Sequence, residues 1–166
     1  ISAPGDTAGG AVSALLSIAS VDMSDSLLII NGDQIIEDNL LELVINFDGL
    51  DAGVVVFNSV HPRWSYAACD KDGYVVEAAE KKPISDLATA GFYYYKLTSD
   101  FFEAVESMIL KDSHVNGMFY VCPVFNEMVL NNKKIGTFKI DMKKYHSLMN
   151  PEMVRQYESY LIANSK

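Results

Sequence analysis

Four aliphatic residues, Leu27 to Ile30, run directly into Asn31-Gly32-Asp33-Gln34. A short apolar run that stops at once in turn residues predicts a buried strand with a carboxylate at its tip. The arrangement narrows the fold. In open α/β sheets ligands bind beyond the carboxyl ends of the strands, and Gly32 would let the chain turn there without a Cβ clash. Asp33 is therefore the first candidate functional residue. It suits Mg²⁺, a hard cation that takes one or two carboxylates plus phosphate oxygens and water. It equally suits a structural cap on the turn that follows.

The surrounding sequence extends this into a layered α/β pattern. Ala3 to Gly10 is a small-residue loop, and Ala11 to Ser20 follows with Val12, Leu15, Leu16 and Ala19 at helical spacing. Beyond the LLII strand, Asn39 caps a second helix to Phe47, with Leu40, Leu41, Val44 and Ile45 inward. Gly53 to Ser59 is again a β-branched run, so a β-α-β unit with parallel strands is expected. Tyr66 to Asp70 and Tyr74 to Ala79 then read as two strands joined through Lys71-Asp72-Gly73, a hairpin turn. Ala90 to Leu97 predicts a strand, Thr98 to Leu110 an amphipathic helix, and Pro123 to Leu130 another helix. Gly136 to Asp141 predicts a last strand. Asn150-Pro151-Glu152 opens a closing helix with Val154, Tyr157, Tyr160 and Leu161 inward. The fold expected is α/β and Rossmann-like, a mixed, mostly parallel sheet with an inserted antiparallel hairpin. Residues 1–166 are expected to form one domain.

Composition excludes some partners. A net charge of −9 repels nucleic-acid backbones and anionic membrane surfaces alike, so neither is expected as a partner. No apolar run approaches the length that spans a bilayer. Cys69 and Cys122 form neither a disulfide framework nor a zinc motif, which suits a reducing cytoplasm. His61, His114 and His146 have no partner at metal-ligand spacing and are expected in loops or at the surface.

Three further stretches could carry chemistry. Glu80-Lys81-Lys82-Pro83 closes the hairpin, and Pro83 ends its strand. There Glu80 could accept hydrogen bonds from hydroxyls and Lys81 could place charge on a phosphate, or both could be a solvated strand end. Thr7-Ala8-Gly9-Gly10 could let a base, sugar or phosphate approach backbone N–H groups, although it is neither a G-x-G-x-x-G fingerprint nor a P-loop. Gly91 lies among bulky strand residues and marks either close approach of a ligand or backbone, or a bulge.

In order, T-x-G-G-A, N-G-D-Q, R-W-S-Y, E-K-x-P, A-x-A-G-F-Y and a late N-P-E helix resemble the sugar-phosphate nucleotidylyltransferase family, in the branch associated with capsule and surface-polysaccharide synthesis. The resemblance runs from Thr7 to Leu161. It implies an NTP and a sugar 1-phosphate as substrates, with nucleotide-sugar and pyrophosphate as products. It also implies that Asp33 holds Mg²⁺ on the α-phosphate and that Lys81 neutralises the sugar phosphate. Glu80 and the Gly91 backbone would hold sugar hydroxyls, and Thr7 and Gly9 would lie near the base. The family's opening strand and its arginine-bearing glycine-rich loop have no counterpart here. The family's late second metal-binding aspartate aligns with Ser147, leaving Asp141 as a substitute. The chain thus reads as an N-terminally truncated form, expected to be inactive alone and to self-associate through an uncovered sheet flank. A non-catalytic nucleotide-sugar-binding or interaction domain is the other reading.

Overall fold

The computed structural model describes residues 5–164, so Ala3 and Pro4 of the opening loop lie outside it. A mixed sheet is built around one long strand, β6 (Leu87–Tyr95). Strand β3 (Ala52–Asn58) pairs antiparallel along one edge of β6, from Ala52 opposite Tyr95 to Asn58 opposite Leu87. Two strands share the other edge. There β1 (Leu27–Ile30) covers Phe92 to Tyr95, while β4 (Tyr66–Cys69) meets β6 only where Tyr66 faces Ala88. The edge is therefore forked at Thr89 to Gly91. Outside β4 lies its hairpin partner β5 (Val75–Ala79), and β7 (Ile135–Lys139) lies parallel to β3. A separate two-stranded ribbon joins β2 (Gln34–Ile36) to β8 (Tyr145–Ser147).

The α/β, Rossmann-like expectation holds, with a correction to the ladders. Strands β1, β3, β4 and β7 share one direction, but β6 runs against them at the centre. Among the described strands β3 and β7 alone form a parallel pair. Parallel neighbours cannot be read from β-α-β order when a later antiparallel strand slips between them.

Strand β3 is buried from Ala52 to Phe57 because both its faces are covered. On one face Val54 and Val56 pack with Tyr93, Tyr95 and residues of three helices, α1 (Gly10–Leu15), α3 (Thr98–Leu110) and α4 (Val124–Leu130). On the other face Val55 and Phe57 pack with Phe92, Trp64, Tyr66 and the helix α2 (Leu40–Ile45). Paired Gly53 and Gly136 leave room for the Phe47 ring and the Leu50 side chain respectively: a Cβ on Gly53 would collide with a Phe47 ring carbon, and one on Gly136 with a Leu50 methyl.

Several expected faces differ. In the α2 region Leu43 and Phe47, an i, i+4 pair on one helix face, point into the core with Val55, Phe57 and Phe92, whereas Leu40, Leu41 and Ile45 are exposed. The first helix stops at Leu15 and gives way to a 3-10 turn at Ile18–Ser20. Strand β1 is not fully buried. Leu27 and Ile29 pack against the helical core, and Leu28 and Ile30, on the opposite face, are exposed. The last helix, α5 (Pro151–Asn164), buries no residue fully, and Tyr157 and Tyr160 flank His146 instead of entering a core. His146 is thus a partly buried β8 residue and not a loop residue. Among the described residues no helix is long and apolar enough to cross a membrane.

Candidate functional site

A cavity of about 300 Å³ opens at the fork in the edge of β6. The end of β1 contributes Asn31 and Asp33, and the entry to β4 contributes Arg63, Trp64 and Ser65. Strand β6 supplies Thr89, Gly91 and Tyr93 between them. Glu80 and Lys81 come from beyond β5, and Tyr145 comes from β8. Gly10 and Tyr120 to Cys122 close the remaining side. The fork explains the site: β1 and β4 cannot both continue along β6, so a gap is left where their ends meet. A larger cavity, about 530 Å³, lies between α1 and α3, but its lining is mostly apolar and gathers none of the candidate residues.

Gly91 stands at the hinge of the gap. The ladder between β3 and β6 slips from Val54 opposite Tyr93 to Val56 opposite Thr89, which places a bulge at Gly91 with φ +62°. A Cβ there would stand within contact distance of the Asn31 and Gln34 side chains. Its carbonyl accepts from the Asn31 backbone N–H at 2.9 Å and from Gln34 Nε2 at 3.1 Å. Tyr145 donates its hydroxyl to Gln34 Oε1 at 3.2 Å, which ties the ribbon to the bulge. Burial, then the nearby Asp33 charge, push the Tyr145 phenol up to about 12, so it remains a donor. The Leu148 N–H bonds to the Asp33 carbonyl at 2.7 Å, and Gln34 faces Ser147. The loop after β1 is thus pinned by a segment more than a hundred residues away.

Glu80 and Lys81 occupy the opposite wall. Ser65 donates a short hydrogen bond from its hydroxyl to Glu80 Oε2. Burial raises the Glu80 carboxyl above its usual range, against the lowering influence of that bond and of Lys81. Lys81 adopts a left-handed φ of +53° and sends Nζ to within 3.4 Å of the Tyr120 hydroxyl and 5.3 Å of its ring centroid. No carboxylate pairs with Lys81 among the described ion pairs, so its charge is available to an anionic ligand. Deeper in, Thr89 and Tyr93 share a hydroxyl hydrogen bond of 3.0 Å, and burial pushes the Cys122 thiol up, which makes it a poor nucleophile.

Asp33, Glu80, Lys81 and Gly91 therefore line one cavity, although the sequence separates them by up to 58 positions (91 minus 33). Thr7, Gly9 and Gly32 do not line it. Gly9 has φ +115°, and a Cβ there would collide with the Phe119 backbone. The close approach that the small residues permit is to the chain itself: Phe119 N–H donates to Ala8 O at 2.7 Å, and Ala11 N–H donates to Phe119 O at 3.0 Å. This pairing holds Tyr120 at the wall, and Gly10 alone of the four loop residues reaches the cavity. Thr7 donates to Gly9 O at 3.1 Å. Gly32 has no positive φ, and open space surrounds its Cβ position, so the turn does not require glycine.

Among the described residues no three His, Cys, Asp or Glu side chains stand together as a metal cage. Asp141 accepts from the Lys143 N–H at 2.9 Å and caps a short turn outside the cavity. Ser147 lies beside Gln34 with its hydroxyl buried next to the Tyr145 hydroxyl and without a well-formed hydrogen bond among the described residues. Asp33 thus offers one carboxylate, a donor set that fits Mg²⁺ only when phosphate oxygens and water complete the shell. Residues missed as site members include Ser65 and Arg63, which stood visible in the R-W-S-Y motif, and Tyr120 and Tyr145, for which the sequence carries no local signal.

No protein-family model and no curated protein sequence matches the chain. Solved structures do. A nucleoside-diphosphate-sugar pyrophosphorylase from Vibrio cholerae RC9 superposes with a TM-score of 0.77 at 22% identity, over 92% of this chain and 66% of its own. A protein from Bacillus anthracis assigned as a glucose-1-phosphate thymidylyltransferase gives 0.69 at 21%, over 94% of this chain and 62% of its own. The inositol-1-phosphate CTP transferase from T. maritima gives 0.68 at 15%, over 93% and 61%. The chain has the α/β fold of the nucleotide-diphospho-sugar transferases and spans less than two thirds of the length of these three proteins.

Proposed function

We propose that the chain carries the sugar-phosphate side of a sugar-1-phosphate nucleotidylyltransferase site, acting in nucleotide-sugar supply for polysaccharide synthesis. The observation that carries this reading is the convergence of Asp33, Glu80, Lys81 and Gly91 on one cavity at the fork of β1 and β4. The fold of the three similar structures supports it.

In such a transfer an oxygen of the sugar phosphate attacks the α-phosphorus of the NTP, the α–β P–O bond breaks, and pyrophosphate leaves with the electron pair. The protein's part is positioning and charge neutralisation. Lys81, with no carboxylate partner, neutralises the sugar phosphate. Glu80 keeps one oxygen on Ser65 and turns the other to a sugar hydroxyl. Because both acceptor positions of the Gly91 carbonyl are filled by Asn31 and Gln34, that carbonyl orients the loop and does not hold the sugar. Thr7 and Gly9 act on the nucleoside side through the loop that fixes Tyr120. Asp33, with substrate oxygens, would hold Mg²⁺, whose chemistry is to neutralise charge on the α-phosphate. The free thiols Cys69 and Cys122 fit a reducing cytoplasm.

The test is calorimetric binding of a hexose 1-phosphate with Mg²⁺ to the chain, wild type against Lys81→Ala and Asp33→Asn. Loss of binding in Lys81→Ala is expected, and unchanged binding in both variants would refute the assignment. The single carboxylate favours a second reading, a nucleotide-sugar-binding domain without transfer. Under that reading the intact protein binds an NDP-sugar but releases no pyrophosphate.

A further inference from the structure

A second, smaller cleft of about 200 Å³ lies between β8 and α5. Its polar lining is Arg63, Tyr145, His146, Ser147, Gln156 and Tyr157, and no carboxylate is among the residues that form it. That is unusual in a chain with 22 acidic residues against 13 lysines and arginines. Of the neighbouring carboxylates, Glu152 accepts from Arg155 at 2.9 Å and from Gln156 Nε2 at 3.4 Å, which takes one of the two amide N–H groups of Gln156. Glu37 accepts from the Tyr160 hydroxyl at 2.8 Å and lies 3.1 Å from His146 Nε2, near enough for an ion pair but off line for a hydrogen bond. Asp33 lines the main cavity.

Two groups in the cleft lack partners. Ser147 Oγ is buried beside the Tyr145 hydroxyl and makes no well-formed hydrogen bond among the described residues, which leaves donor capacity unused. Among the described residues Arg63 has no carboxylate within ion-pair distance, and its guanidinium rests 4.2 Å over the Trp64 ring. Arg63 and Tyr145 line both this cleft and the main cavity, so the two spaces adjoin. A planar guanidinium with five donors, the Ser147 hydroxyl and the remaining N–H of the Gln156 amide make a donor set for a tetrahedral oxyanion.

We propose that this cleft is a phosphate subsite, with Arg63 as its cation and Ser147 and Gln156 as neutral donors. His146 is not counted, because its Nε2 lies 3.1 Å from Glu37 Oε1. The inference goes beyond nucleotidyl transfer and stands on the lining of this cleft.

The probe is inorganic phosphate, titrated into the metal-free chain at constant ionic strength by calorimetry, with backbone amide shifts followed by NMR. Saturable binding with shifts at Ser147 and Gln156 is expected. Arg63→Gln is expected to weaken it roughly tenfold or more, and Ser147→Ala a few-fold. Arg155→Gln removes an equal charge from α5 outside the cleft and is expected to change nothing. No saturable binding, wild-type affinity in both Arg63→Gln and Ser147→Ala, or an equal loss in Arg155→Gln would overturn the proposal. Pyrophosphate and a hexose 1-phosphate then identify the source of the group. Tighter pyrophosphate, weakened by Arg63→Gln and by Lys81→Ala, assigns it to a polyphosphate spanning both spaces. A hexose 1-phosphate that needs Arg63 assigns it to the sugar phosphate. If phosphate needs Arg63 while hexose 1-phosphate ignores Lys81, the subsite stands and the transferase reading falls. If hexose 1-phosphate needs Lys81 while phosphate ignores Arg63, the reverse holds.

Discussion

The Asn31 backbone N–H donates to the Gly91 carbonyl at 2.9 Å, and the Asn31 side chain fills the space that a Cβ on Gly91 would need. One contact thus joins the loop that carries Asp33 to the bulge in β6 at the floor of the cavity.

Gly91→Ala is expected to destabilise the chain by roughly 2–4 kcal/mol, from the left-handed backbone and the collision together. Gly32→Ala is expected to stay within about 0.5 kcal/mol, since its Cβ position is open. Urea denaturation of the two variants separates them, and equal midpoints would show that the bulge is not held in this way.

Glu80 gives a pH signature with a defined sign. Its carboxyl is raised in the folded chain, so the folded state binds the proton more tightly than the unfolded state. Stability contributed by this group therefore falls as pH rises from the ordinary carboxylate range through the raised folded value. Glu80→Gln should lose that fall, and Ser65→Ala, which removes a lowering influence, should deepen it. Stability measured from pH 4 to pH 8, with ~0.5-unit steps across the window, reads both. A parallel wild-type and Glu80→Gln profile would contradict the burial of this carboxylate.

Lys81→Gly removes the ammonium while suiting the left-handed backbone at that position, so folding is expected to be kept or improved slightly. Binding of a hexose 1-phosphate is expected to fall roughly tenfold or more, as for loss of a charge-assisted hydrogen bond. Pyrophosphate release by the 166-residue chain with Mg²⁺, a sugar 1-phosphate and each NTP is expected to stay at background, because among the described residues Arg63 and Lys81 are the only cationic side chains that line the cavity against a triphosphate. Turnover by the purified chain would defeat that expectation.

Strand β1 is hydrogen-bonded to β6 on one side only among the described residues and exposes Leu28 and Ile30. Such an edge invites pairing with a second chain. Self-association is expected in sedimentation velocity and should be lost in Leu28→Lys. A monomer at every concentration, or a dimer indifferent to the substitution, would move the interface elsewhere.

Read alone, the sequence determined what depends on neighbours along the chain. The LLII run and its abrupt turn, the Asp-Gly hairpin and the helix from Thr98 to Leu110 were legible because apolar spacing and turn chemistry are local. Candidate residues at strand ends were legible for the same reason, and Asp33, Glu80, Lys81 and Gly91 do meet. The tertiary structure decided what depends on which strand lies beside which. It set β6 against its neighbours, gave β1 and β4 one edge to share, and opened the cavity between them. It turned Gly9 toward Phe119 and not toward the cavity, and it paired the three-residue strands β2 and β8 across more than a hundred positions. Strands that short carry almost no periodicity, and their pairing is stabilised only once the surrounding chain has closed the loop between them.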